Sequence, residues 1–116
     1  MGQVVIWHNK GCGSSKNALA YLQDKGVEPE QFLYINEKTD AAAIKAVIEK
    51  GGMKPSDLLR PKEAIAEERG LYAEDADEDA ILAAMAEHAR LIQRPVVITE
   101  KGAVIARPKT KIDDIL

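Results

Sequence analysis

Val4-Val5-Ile6-Trp7-His8-Asn9-Lys10-Gly11-Cys12-Gly13-Ser14-Ser15-Lys16 passes from an apolar run, through a glycine-flanked cysteine, into a helix start. Gln3 to Trp7 reads as a buried strand. Ser14 to Lys25 reads as a helix, with Ala18, Leu19 and Leu22 at the spacing of an inward face and Gly26 placed to cap its C-terminus. Gln31-Phe32-Leu33-Tyr34-Ile35-Asn36 then reads as a second strand. Strand, helix and strand in this order predict a parallel pair joined by a right-handed crossover. The chain's only cysteine therefore falls where a helix begins. The first N–H groups of a helix lack internal partners, and with the helix dipole they favour negative charge nearby. A thiol at such a place is expected as a thiolate near neutral pH. Gly11 and Gly13 leave room for a substrate to reach the sulfur. Ser14 and Ser15 supply hydroxyls that can cap the helix or donate to the thiolate. A lone cysteine is otherwise read as a small buried hydrophobe, but its neighbours here are glycine and serine. His8, four residues earlier, has two readings: a strand-end histidine bonded to backbone, or a group that tunes the thiol.

The 116 residues are 46% hydrophobic and 30% charged, the composition of one folded domain spanning residues 1–116 with a real core. A net charge of −3 argues against a general nucleic-acid binder, which shows a basic excess. No apolar run approaches the ~20 residues needed to cross a bilayer, and Met1-Gly2-Gln3 does not open a signal peptide. One cysteine forms no internal disulfide and no cysteine-based zinc site, and two histidines with it show no metal-ligand spacing. No metal and no bound cofactor are expected. A reducing, cytoplasmic setting, a monomer, and no membrane or nucleic-acid partner fit this reading.

Beyond the second strand, Thr39 or Asp40 can cap a helix running to about Lys50, with Ile44, Val47 and Ile48 inward and Gly51-Gly52 as its stop. Pro55 opens a short helical turn through Leu59. Pro61 suits the first position of another, ending near Gly70. Asp77 begins a helix to about His88 with Ile81, Leu82 and Met85 as its core face. Val96–Thr99 and Ala103–Ala106 are apolar strands joined by Glu100-Lys101-Gly102, a three-residue hairpin loop. Thr110 to Leu116 is a short helix or a strand. The whole predicts an α/β fold: a four-stranded mixed sheet with helices on its faces and a helical insertion.

Three arginines stand at element ends: Arg60 between Leu58-Leu59 and Pro61, Arg94 before Pro95, and Arg107 after the last strand. Loops gather around sites at such ends, and the guanidinium fork suits a tetrahedral oxyanion. Singly, each reads equally well as a helix cap or a surface pair. Beside a thiolate, the trio predicts an oxyanion site, with all three converging on Cys12. Arg69 and Arg90 lie on charge-rich helical stretches and read as solvated. His88 reads as a favourable cation at a helix C-terminus.

His8-Asn9-Lys10-Gly11-Cys12-Gly13-Ser14-Ser15, Gly26-Val27-Glu28-Pro29, Leu58-Leu59-Arg60, Arg94-Pro95-Val96-Val97 and Arg107-Pro108 together resemble the glutaredoxin-dependent arsenate reductase family (ArsC-like), along almost the whole chain. Lys10 and Ser14 depart from the proline and threonine frequent there. The chain resembles a short member without the C-terminal extension. The resemblance implies a thioredoxin-like fold with a helical insertion and reduction of arsenate to arsenite. It implies Cys12 as nucleophile, His8 and Ser15 as modulators of its ionisation, and Arg60, Arg94 and Arg107 as oxyanion ligands. Gly11 and Gly13 shape the loop, and Pro95 is the implied cis-proline. Glutathione as co-substrate and glutaredoxin as partner would resolve a thiol–arsenate adduct. Two alternatives share the fold: a generic glutathione-dependent thiol oxidoreductase, and an Spx-type redox regulator that binds RNA polymerase. The regulators use a Cys-x-x-Cys switch, and here Ser15 takes the second position.

Overall fold

The apolar run after Gln3 forms a strand, β1 (Val5–Trp7), that pairs parallel with β2 (Glu30–Phe32) and antiparallel with β3 (Val96–Thr99); β4 (Gly102–Ile105) adds antiparallel outside β3, giving the order β2-β1-β3-β4. The computed structural model describes residues 4–9, 11, 13–34, 40–93 and 95–116. The parallel pair needs a crossover, and helix α1 (Gly13–Asp24) supplies it. Ile6, Val97 and Val104 stand in register across three strands. They pack on Ala18 and Leu22 of α1 and on Ile112 and Ile115 near the C-terminus. Leu19 is half-buried against the same cluster. Side chains alternate between the faces of a strand. Trp7 therefore takes the other face of β1, edge-on to Phe32 at 5.5 Å and stacked on Tyr34 at 6.0 Å.

The helix ends follow their sequence signals. At the end of α1, the Val27 N–H donates to the Leu22 carbonyl and the Gly26 N–H to that of Gln23, both at 2.9 Å, with Gly26 at φ 80°. This is the Schellman arrangement, which places the residue past the helix in the left-handed region. Asp40, one of the two caps the sequence offers, caps α2 (Ala41–Gly51) by accepting from the Ala43 N–H at 2.8 Å; Thr39 lies outside the described residues.

The chain divides into two compact units, Met1–Glu37 with Arg94–Leu116, and Lys38–Gln93. The second holds α2, α3 (Pro55–Leu58), α4 (Ala64–Glu68), α5 (Glu78–Glu87) and a 3₁₀ turn, Ala89–Leu91. There α2 packs against α5, and α3 against both. Ile44, Val47, Ile48, Leu58, Ile81 and Met85 are buried, while Leu82 is only half-buried. Each fully buried Leu, Ile or Met contributes about 1.5–3 kcal/mol.

Four boundaries differ from the sequence reading. β2 (Glu30–Phe32) is shorter than Gln31–Asn36 because among the described residues it pairs with the three-residue β1; Ile35 and Asn36 lie outside the described residues. Pro61 does not open α4. It sits in a turn with Lys62 at φ 65°, and the helix starts at Ala64. Gly102 is not a loop residue: it pairs with Thr99, leaving Glu100-Lys101 as a two-residue turn. The C-terminal segment is a helix rather than a strand, of the 3₁₀ kind, and it spans Lys109–Asp114 rather than Thr110–Leu116.

Candidate active site

The first turn of α1 is held by one buried hydroxyl. Ser15 is fully buried, and its Oγ lies 2.6 Å from Nδ1 of His8, itself buried at the end of β1. The same oxygen accepts the Asn9 N–H at 3.0 Å. The His8 N–H extends the β1–β2 ladder by donating to the Phe32 carbonyl at 2.8 Å. Strand end, loop and helix start are therefore tied at a single atom. Asn9 turns its side chain over the loop, with Oδ1 accepting the Gly11 N–H at 3.0 Å, the local pattern that Asn favours in turns. A Cβ at Gly13 would meet nothing within 4 Å, so the space beside the loop is open. Cys12, predicted as nucleophile, lies outside the described residues.

β4 returns the chain to this end of the sheet. Arg107 follows it, and a cleft of about 190 Å³ opens between the first turns of α1 and the return segment. Ser14 and Asn17 line one side, and Ala106, Arg107, Pro108 and Lys109 the other. The Arg107–Pro108 peptide is cis. The predicted cis bond before Pro95 cannot be compared, since Arg94 lies outside the described residues. Pro95 itself is buried and its carbonyl accepts the Ala106 N–H at 2.8 Å.

Arg60 belongs to the 38–93 unit. Its N–H donates to the Leu91 carbonyl at 2.7 Å, beside the Leu59–Ile92 bridge. The Tyr72 hydroxyl donates to the Arg60 carbonyl at 2.5 Å and accepts the Glu63 N–H at 2.9 Å. The guanidinium pairs with Glu63 at 3.4 Å. So the structure brings His8 and Ser15 together and sets Arg107 at the first turn of α1, while Arg60 is fixed within its own unit. Arg69 pairs with Glu87 at 3.1 Å and Arg90 is largely exposed, as their charge-rich surroundings predicted.

Lys109, Tyr21 and Asp113 carry no role in the sequence reading. Tyr21 donates to both oxygens of Asp113, at 2.9 and 2.8 Å, and Lys25 reaches the same carboxylate at 3.1 Å. The hydrogen bond from Tyr21, then that from Lys25, holds the Asp113 carboxyl below its ordinary range. The only sequence signal was the basic run Arg107, Lys109, Lys111 directly after a strand. Among the described residues, no group of three or more His, Cys, Asp or Glu is placed to hold a metal. No helix there is long and apolar enough to cross a membrane.

A sheet of order β2-β1-β3-β4, with a helix crossover behind its parallel pair and a cysteine loop between β1 and α1, is a thioredoxin-like fold. Residues 7–115 match the ArsC family, and the chain belongs to it. An arsenate reductase of Neisseria meningitidis is 32% identical over 100% of both chains. The uncharacterized protein YfgD of Escherichia coli K12 is 35% identical, over 98% of this chain and 97% of its own. The structure of an arsenate reductase from Vibrio cholerae is 33% identical with a TM-score of 0.92, covering 99% of this chain and 98% of that one.

Proposed function

We propose that this chain reduces arsenate to arsenite with Cys12 as nucleophile, glutathione as the resolving thiol and glutaredoxin as the final reductant. The observation that carries the reading is the buried His8–Ser15–Asn9 network at the start of α1, beside a cleft that presents Arg107. Full-length similarity to proteins named arsenate reductase supports the substrate. Arg60, Arg94 and Arg107 are assigned by resemblance to hold the oxyanion, offsetting the repulsion between an anion and a thiolate.

In the first step the Cys12 thiolate bonds to arsenic and one arsenate oxygen leaves as water, taking protons from the medium. The arsenic remains As(V). Glutathione thiolate then attacks the Cys12 sulfur. An S–S bond forms, the S–As bond breaks, and arsenic keeps the electron pair, leaving as arsenite. Glutaredoxin removes the glutathione from Cys12 by thiol–disulfide exchange. With one cysteine in the chain, no internal thiol can do this, and a cytoplasmic supply of reduced thiols suits the cycle.

The test is a coupled assay with arsenate, glutathione, glutaredoxin and NADPH-linked glutathione reductase. Arsenate-dependent NADPH oxidation is expected, with glutathione found on Cys12 by mass spectrometry and no turnover in Cys12→Ser. Disulfide reduction without arsenate turnover would replace the reading with plain thiol exchange.

A further inference from the structure

Four of the described basic side chains have acidic partners: Lys25 with Asp113, Arg60 and Arg90 with Glu63, Arg69 with Glu87. Arg107 and Lys109 do not. Among the described residues neither forms an ion pair, yet both line one cleft of about 190 Å³ with no carboxylate on its walls. The other polar groups there, Ser14 and Asn17, are neutral donors and acceptors. At ~30 Å³ per water, this space holds roughly six waters, enough for a carboxylate and the residue that bears it. Two cations left without an ion pair on one wall of a polar cleft, facing neutral donors on the other, define a place for an anion.

The cleft is held in shape from behind. Ser14, Asn17 and Tyr21 lie three and then four residues apart on α1, so they share a face. Tyr21 bonds Asp113 of the 3₁₀ helix that begins at Lys109. The Lys109 ammonium stands 5.7 Å from the centre of the Tyr21 ring, within cation–π range. Asp113, the acid nearest to Lys109 on that helix, is occupied by Tyr21 and Lys25.

We propose that Arg107 and Lys109 form a subsite for the carboxylate of the thiol that resolves the Cys12 adduct, with Lys109 as its specificity-determining residue. The proposal rests on the reading above in one respect, that an external thiol is required. Arg107 is shared with the oxyanion, whereas Lys109 is free to discriminate among thiols. Ser14 follows Cys12 by two residues, which limits their Cα separation to ~7 Å. A tripeptide thiol spans a similar distance between its sulfur and its terminal carboxylate. A thiol without a carboxylate gains nothing from Lys109.

The test compares Lys109→Ala with the parent protein and with Lys111→Ala, an exposed neighbour on the same segment. Thiol dependence is measured at saturating arsenate with glutathione, which carries carboxylates, and with 2-mercaptoethanol, which carries none. Binding of S-methylglutathione, which cannot turn over, is followed by NMR titration. Lys109→Ala is expected to raise KM for glutathione about five- to twentyfold, leave 2-mercaptoethanol kinetics within about twofold, and weaken S-methylglutathione to the same degree. Lys111→Ala should change none of these, and Lys109→Arg should retain most of the affinity. An equal loss with both thiols, unaltered S-methylglutathione binding in Lys109→Ala, or no binding to the parent protein would overturn the proposal. If no thiol supports arsenate turnover, the arsenate reading fails, and the S-methylglutathione titration still decides this one.

Discussion

Ser15 is the residue on which the loop geometry depends. Its hydroxyl serves His8 and the Asn9 N–H together, in a fully buried position. Ser15→Ala removes that partner from both and should cost about 1–3 kcal/mol, read as a lower urea midpoint. A change below ~0.5 kcal/mol, the level of ordinary surface substitutions, would contradict the assignment. The sequence placed His8 and Ser15 beside the cysteine loop but did not pair them with one another; that contact appears only once strand end and helix start face each other in the fold. The arginines separate in a different assay. Lysine at Arg60, Arg94 or Arg107 keeps the charge but loses the fork, and each change should weaken arsenate handling by about 1.5–3 kcal/mol. Arg69→Lys and Arg90→Lys should leave it unchanged. Equal effects across all five would remove the oxyanion role. Lys109 was not legible at this scale: its meaning comes from Ser14 and Asn17 across the cleft, a juxtaposition that only the returned chain creates.

At the scale of elements, local chemistry was readable wherever one side chain or one φ angle decides the outcome. Gly26 is such a case. At φ 80° with open space around it, Gly26→Ala meets no clash but adopts a left-handed conformation, costing roughly 1–2 kcal/mol; thermal unfolding would show it. The sequence misled where pairing decides. Gly102 looks like a loop glycine, but the register with Thr99 draws it into β4. Pro61 looks like a helix opener, but the left-handed Lys62 delays α4. The contact between α1 and the 3₁₀ helix carries a pH signature. Asp113 is held below its ordinary 3.8, chiefly by Tyr21, so its contribution is present above that pH and lost as pH falls through the lowered value. Lys25 and Tyr21 are raised above 10.5 and 10.0, each chiefly by the hydrogen bond with Asp113. Their contribution is present below those values and lost as pH rises through the raised ones. The melting temperature of Asp113→Asn should therefore lag the parent by a constant amount between about pH 5 and 9 and converge with it at both extremes. All three groups are exposed, so the lag is small and shrinks with salt. A lag independent of pH would assign the loss to packing instead.

At the scale of the molecule, strand pairing brackets the helices. β1 meets β3 only across the whole 38–93 segment, so the sheet cannot close until that segment has brought its ends together. The alternation of strand, helices and hairpin made this layout legible, since sequential elements rarely thread. The division into two units was not, because no glycine- or proline-rich linker marks it. One aromatic gives the arrangement an optical consequence. Trp7 is the chain's single tryptophan, 4% exposed, stacked on Tyr34 and one bond from His8. Its emission comes from the sheet alone, while far-ultraviolet ellipticity is weighted toward the helices. A chain of this size is expected to unfold in one step, so the two signals should share a urea midpoint. Separate midpoints would mean that the units melt independently. In the folded protein, the same indole offers a native fluorophore at the rim of the cysteine loop, and anion or thiol binding there can be followed without attaching a label.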